Sequence, residues 1–132
     1  MRAELPHVTI ASSQRKRLKR LVATAFSQKQ RVAPFLGAEI RRAQFCDEAL
    51  APGIVAVGRQ VSYRLANGSA TPFRTLVYPE DFSDDASQIS LFSPIGAALL
   101  GLQVGDRTQV FLPPNGFHML EVAEVKSPGD LS

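Results

Sequence analysis

The stretch SPIGAALLGLQVGD, residues 93–106, decides how the rest of the chain is read. Ser93 stands where a hydroxyl can accept from an otherwise unpaired backbone N–H at a helix start. Pro94 suits the first helical position, where its missing N–H would be unpaired anyway. Ile95 to Leu100 then supply about two turns, with Leu99 and Leu100 directed inward, and Gly101 is a left-handed stop. Val104-Gly105-Asp106 turns the chain back.

Outward from this motif the pattern changes from helical to alternating. Val55 and Val57 lead into Val61-Ser62-Tyr63-Arg64-Leu65, whose odd positions are apolar, and Asn67-Gly68 signals a hairpin because both residues tolerate positive φ. Phe73 to Tyr78 is the expected returning strand. Residues 79–86 form an acidic loop, Gln88 to Phe92 alternates again, and Gln109–Leu112 and Met119–Val125 flank a turn at Pro113-Pro114-Asn115-Gly116. One short helix in a mostly antiparallel sheet predicts an α+β body.

The N-terminal third reads differently. After a β-like His7–Ile10, Ser12 or Ser13 is placed to cap a helix running to about Phe26, with Leu18, Leu21, Val22, Ala25 and Phe26 on one stripe. Pro34 opens a second helix with Leu36, Ile40 and Ala43 inward, although Gly37 costs it about 0.8–1 kcal/mol relative to alanine. The two helices predict a hairpin. Pro52-Gly53 marks the boundary, giving a basic helical arm over residues 1–50 and a β-rich body over 51–132.

Charge follows the same division. Residues 1–46 carry ten Lys/Arg against two acids, a net +8, whereas residues 47–132 carry five against ten, a net −5. A basic head on an acidic body implies two surfaces with different electrostatic preferences. The 132 residues are 45% hydrophobic and 20% charged, the balance of a folding chain rather than a disordered one. Without a charged-then-apolar leader or an apolar run approaching ~20 residues, a cytoplasmic protein is expected. The single Cys46 is compatible with that compartment.

Enzyme chemistry finds little support. His7 and His118 lack ligand-spaced neighbours, Cys46 lacks a histidine partner, and Ser93 sits in no G-x-S-x-G elbow. Gly96, Gly101 and Gly105 have neither the spacing nor the lysine of a phosphate loop. No catalytic residue, metal or cofactor is expected.

The segments RAQFC (42–46), RTLVYPED (74–81) and SPIGAALLGLQVGD, followed by a leucine-proline strand end and a Leu-Glu-Val strand, resemble the Rnk-type regulators of nucleoside diphosphate kinase. These are small relatives of the bacterial transcription cleavage factors GreA and GreB. The resemblance, over roughly residues 5–126, implies an N-terminal antiparallel coiled-coil arm on a C-terminal FKBP-like domain. It further implies docking on RNA polymerase near the rim of the secondary channel, with Ser93 and Pro94 at the docking surface and Phe92 where those factors often carry an acid.

Gre cleavage chemistry relies on acids at the arm tip that help hold magnesium. The expected tip here, Ser27-Gln28-Lys29-Gln30-Arg31-Val32, has no carboxylate and two cations. At ~22 Å for about 15 residues, the arm is also short. The expectation is a polymerase-binding regulator without cleavage activity. The alternative is a nucleic-acid-binding regulator gripping phosphates through Arg15, Lys16, Arg17, Lys19, Arg20, Lys29 and Arg31.

Overall fold

The computed structural model describes residues 6–114 and 116–127. Two parallel strands, β1 (Thr9–Ala11) and β2 (Gln44–Cys46), bracket two helices, α1 (Arg15–Ser27) and α2 (Ala33–Arg42). The body follows as β3 (Gln60–Leu65), β4 (Arg74–Val77), β5 (Gln88–Ser90), a short helix α3 (Pro94–Leu99), β6 (Arg107–Leu112) and β7 (Gly116–Lys126). Its five strands are ordered β5-β4-β3-β7-β6. The expected α+β class is observed, with one parallel pair, β4 with β5, in an otherwise antiparallel sheet.

The 93–106 motif forms as its residues dictate. The Ser93 hydroxyl accepts from the Gly96 N–H at 3.0 Å and donates to the Ser90 carbonyl at 2.7 Å, and Pro94 lies in the first turn. Gly101 has φ +79°, and Leu99 and Leu100 are buried. Both glycines also answer to space. A Cβ on Gly96 would fall 2.1 Å from the Ser90 carbonyl oxygen, and one on Gly101 would fall 2.5 Å from Val8 Cγ1. The helix is thus pressed onto the end of β5 on one side and onto β1 on the other, where the Thr9 N–H donates to the Gly101 carbonyl at 3.0 Å.

Several expectations need correction. Neither Ser12 nor Ser13 caps α1: a single 3-10 turn, Ser12–Gln14, delays the helix to Arg15. Phe26 is more than half exposed rather than buried on the stripe. Val55 and Val57 form no strand; Val55 exchanges backbone hydrogen bonds with Leu102 and Gly101 instead. The positive φ values of the 66–68 turn fall on Ala66 and Asn67, and the irregular segment that follows leaves β3 paired with β4 only at Gln60–Thr75 and Val61–Arg74. Thr71 pins that segment, its hydroxyl accepting from the Tyr63 N–H and its carbonyl from the Ser62 hydroxyl. The 113–116 turn includes Asn115, which lies outside the described residues.

Gly37 has a packing reason that its helix propensity hides. A Cβ there would lie 3.3 Å from Val22 Cγ1, so glycine lets α1 and α2 approach closely. The helices do not stand apart from the body. Leu18, Leu21, Leu36 and Ile40 belong to one buried cluster with Leu76, Leu91, Leu99 and Leu120 of the body. Burying such a side chain contributes about 1.5–3 kcal/mol, so the cluster ties the hairpin to the sheet.

Gly96→Ala, which changes no φ preference but places a methyl against a backbone oxygen, is expected to destabilise the fold by about 1–3 kcal/mol. A urea unfolding midpoint close to that of the unsubstituted protein would contradict this close contact.

Candidate partner-binding surface

Pro94 is exposed at the start of α3, while Ser93 is partly buried with its hydroxyl committed to the cap. Phe92 is half-buried and packs against the core cluster. Its N–H donates to the Ser90 hydroxyl at 3.0 Å. Phe92 and Pro94 together line a groove of about 450 Å3 shared by three elements. The α1–α2 turn and α2 supply Arg31, Val32 and Phe35; the β6–β7 hairpin supplies Phe111, Pro113 and Phe117.

The groove is rich in accessible rings. Phe35, Phe111 and Phe117 are among the few large apolar side chains left exposed, Phe117 at 69%. Phe111 and Phe117 are directly paired across β6 and β7 and meet edge to face, centroids 5.2 Å apart at 64°. None of these three was singled out from the sequence. A signal exists: Phe111 occupies the solvent side of a strand whose Val110 points inward, and Phe35 sits beside Leu36, off the Leu36–Ile40 stripe. Single apolar residues at such positions are common, so only their convergence marks a surface.

The seven cations singled out in the basic helices are not equivalent. Arg17 is committed to the body: its guanidinium lies 3.7 Å from the Tyr78 ring centroid and pairs with Glu80 at 3.3 Å and Asp81 at 3.4 Å. Arg15 lies over the Phe45 ring at 5.0 Å. Lys16, Lys19, Arg20, Lys29 and Arg31 are exposed and make no ion pair among the described residues. Lys29 takes a left-handed φ of +56° and ends α1 in a Schellman turn, with Gln30 N–H donating to the Ala25 carbonyl and Lys29 N–H to that of Phe26.

A second concavity, of about 540 Å3, is also lined by Phe92 and carries Arg17, Arg20, Leu21, Tyr78 and Glu80. The Tyr78 hydroxyl donates to Gln14 Oε1, which gives α1 a polar tie to the body in place of a serine cap. Arg59 holds the segment before β3, donating to the carbonyls of Leu50, Ala51 and Ile54 at 2.6–3.1 Å. Buried Glu39 is paired with Arg42 at 2.7 Å. Among the described residues no group of three His, Cys, Asp or Glu side chains is assembled to hold a metal ion, and no helix is long and apolar enough to cross a membrane.

This architecture has known counterparts. A family model described as Transcription elongation factor, GreA/GreB, C-term, matches residues 50–127. The Regulator of nucleoside diphosphate kinase of Escherichia coli is 40% identical over 96 residues, covering 72% of this chain and 71% of that one. A solved structure of a prokaryotic transcription elongation factor GreA/GreB from Nitrosomonas europaea aligns with a TM-score of 0.71 at 32% identity, over 92% of this chain and 98% of that chain.

Burial pushes the Tyr78 hydroxyl pKa above its usual value near 10, an effect the neighbouring Arg17 charge partly offsets. The folded state therefore keeps this proton longer than the unfolded chain. Its contribution to stability is intact below pH ~10 and is lost as pH rises through the folded value. Tyr78→Phe is expected to flatten the fall in urea midpoint between about pH 9 and 11; an equally steep fall in the variant would refute this coupling.

Proposed function

The chain belongs to the GreA/GreB transcription elongation factor family, and from that premise we propose that it is an RNA polymerase-binding regulator, acting in the cytoplasm, that docks near the secondary channel without stimulating transcript cleavage. The observation carrying the docking assignment is the exposure of Pro94 at the capped start of α3 beside the apolar groove. A ring fixed at a rigid helix start presents shape without needing to be ordered on binding. The Ser93 hydroxyl acts by holding that start in place, because both of its hydrogen bonds are already made within the protein.

The arm supports the second half of the reading. α1, with 13 residues, spans only about 20 Å. The hairpin also lies against the body from Gln14, bonded to Tyr78, to Arg31 and Phe35, which share the groove with Phe92 and Phe111. A hairpin so short and so attached has little reach toward an active centre. At its turn, Lys29 and Arg31 repel a magnesium ion that cleavage chemistry would require there.

A second reading, nonspecific nucleic-acid binding, draws on the five exposed cations that make no ion pair among the described residues. They approach phosphate without surrendering an internal ion pair, unlike Arg17. No aromatic ladder interleaves them, so base reading is not expected.

Nucleic-acid-free bacterial core polymerase is expected to be retained by the immobilised protein, with Pro94→Ala weakening retention. Transcript cleavage in backtracked complexes is expected to stay at its intrinsic rate when the purified protein is added; acceleration would overturn the non-cleaving assignment. Under the second reading, neutralising Lys16, Lys19 and Arg20 would instead abolish binding to a bare duplex, with a steep logarithmic dependence on salt.

A further inference from the structure

The first turn of α1 is Arg15-Lys16-Arg17, with no acid in it. A helix start carries the positive end of the helix dipole, so three cations there are disfavoured both by the helix and by one another. Arg17 is relieved by Glu80 and Asp81 of the body. Arg15 has no carboxylate partner among the described residues, and its guanidinium lies over the Phe45 ring instead, 5.0 Å from the centroid. One turn further on, Lys19 falls on the same face of α1, also without an ion pair among the described residues.

α2 returns beside α1 and ends in Arg41-Arg42. Arg42 is taken up by Glu39 and by the Pro6 carbonyl. Arg41 makes no ion pair among the described residues, and it joins Arg15 and Lys19 around one hollow of about 300 Å3. Val22, Ile40 and Phe45 give this hollow an apolar floor, Gly37 lines it without a side chain, and among the described residues no carboxylate does so. Lys16 is outside this lining, and Arg20 shares its own concavity with Glu80. Three cations over an apolar floor gain more from an anion than the same charges spread in water, because the floor lowers the local dielectric. The two guanidinium forks suit phosphate oxygens, and linked phosphates concentrate in a few ångströms the charge that three cations match.

We propose that the hollow between α1 and α2 is a binding site for a small ligand bearing two or more linked phosphates, held by Arg15, Lys19 and Arg41. Val22, Ile40 and Phe45 are available to an apolar portion of the same ligand. The linked phosphates belong either to a nucleotide or to an inorganic chain, which present the same oxygens to the three cations. The site requires neither polymerase nor the groove beside Pro94, with which it shares no lining residue.

The test titrates the full-length protein calorimetrically with ADP and, separately, with inorganic tripolyphosphate, both without magnesium. Saturable binding is expected, with a melting temperature that rises with ligand concentration. Arg15→Gln and Arg41→Gln are each expected to raise the Kd about tenfold or more, Arg41→Lys to retain most of the affinity, and Lys16→Gln to change it by less than about twofold. Arg41 is exposed, so its substitution leaves the core intact and decides the matter even if Arg15→Gln, which loses the Phe45 contact, lowers stability. Tighter binding of ADP than of inorganic pyrophosphate supports the site with a nucleotide as its ligand, and equal binding supports it with the phosphate chain alone. The proposal is overturned if neither probe saturates, if Lys16→Gln weakens binding as much as Arg41→Gln, or if a single-stranded oligonucleotide binds where both probes fail. None of those results alters retention of core polymerase, which tests the docking reading separately.

Discussion

A backbone carbonyl pressed against a glycine organises this molecule. The Ser90 oxygen sits where a Cβ of Gly96 would be, and the same oxygen accepts from the Ser93 hydroxyl that caps α3. One atom thus joins the last strand before the helix, the helix cap and the first helical turn. Because those three cannot slide relative to one another, Pro94 has nowhere to go but outward, and Phe92 is held half in the core behind it. At the opposite end Gly101 also packs tightly against Val8 and Thr9, though less closely, which carries the N-terminal strand into the same assembly.

The second organising feature is the attachment of a basic hairpin to an acidic body. The opposite net charges of the two segments make attraction general, but its specific form is Arg17 laid over Tyr78 with Glu80 and Asp81 at its edge. Ion pairs this exposed are screened by solvent and contribute little, so the leucines beneath, Leu18 and Leu21 against the body core, dominate the attachment. The ion pairs act mainly on register, fixing which face of α1 is turned to the body. Lys16, Lys19, Arg20, Lys29 and Arg31 are left exposed, without an ion pair among the described residues.

The short helical pair is folded onto the body, with Lys29 at its turn and Arg31 in the groove lining. It is well placed to extend a surface. The left-handed Lys29 closes α1 abruptly, and the turn it makes sets Arg31 and Phe35 beside the sheet's own rings.

The residues alone determined the elements whose rules are local. Capping by Ser93, a proline in the first helical turn, the Gly101 stop, the amphipathic stripe of Leu18 and Leu21 and the alternation in β7 are each decided within a few residues, so they are legible without a fold. The alternation expected of β3 is broken, because Ser62 is buried between Val61 and Tyr63 at a shift in register with β7. The serine cap on α1 misled because Gln14 found a partner in Tyr78, 64 residues away. The parallel β4–β5 pair and the limited β3–β4 register were hidden for a similar reason, since pairing depends on which strands the connections permit to meet. Pro94 as a surface residue was implied only by the family resemblance, not by its local pattern. The groove was not, because Phe35, Phe92, Phe111 and Phe117 share no local pattern, and only packing of the hairpin against the sheet brings them together.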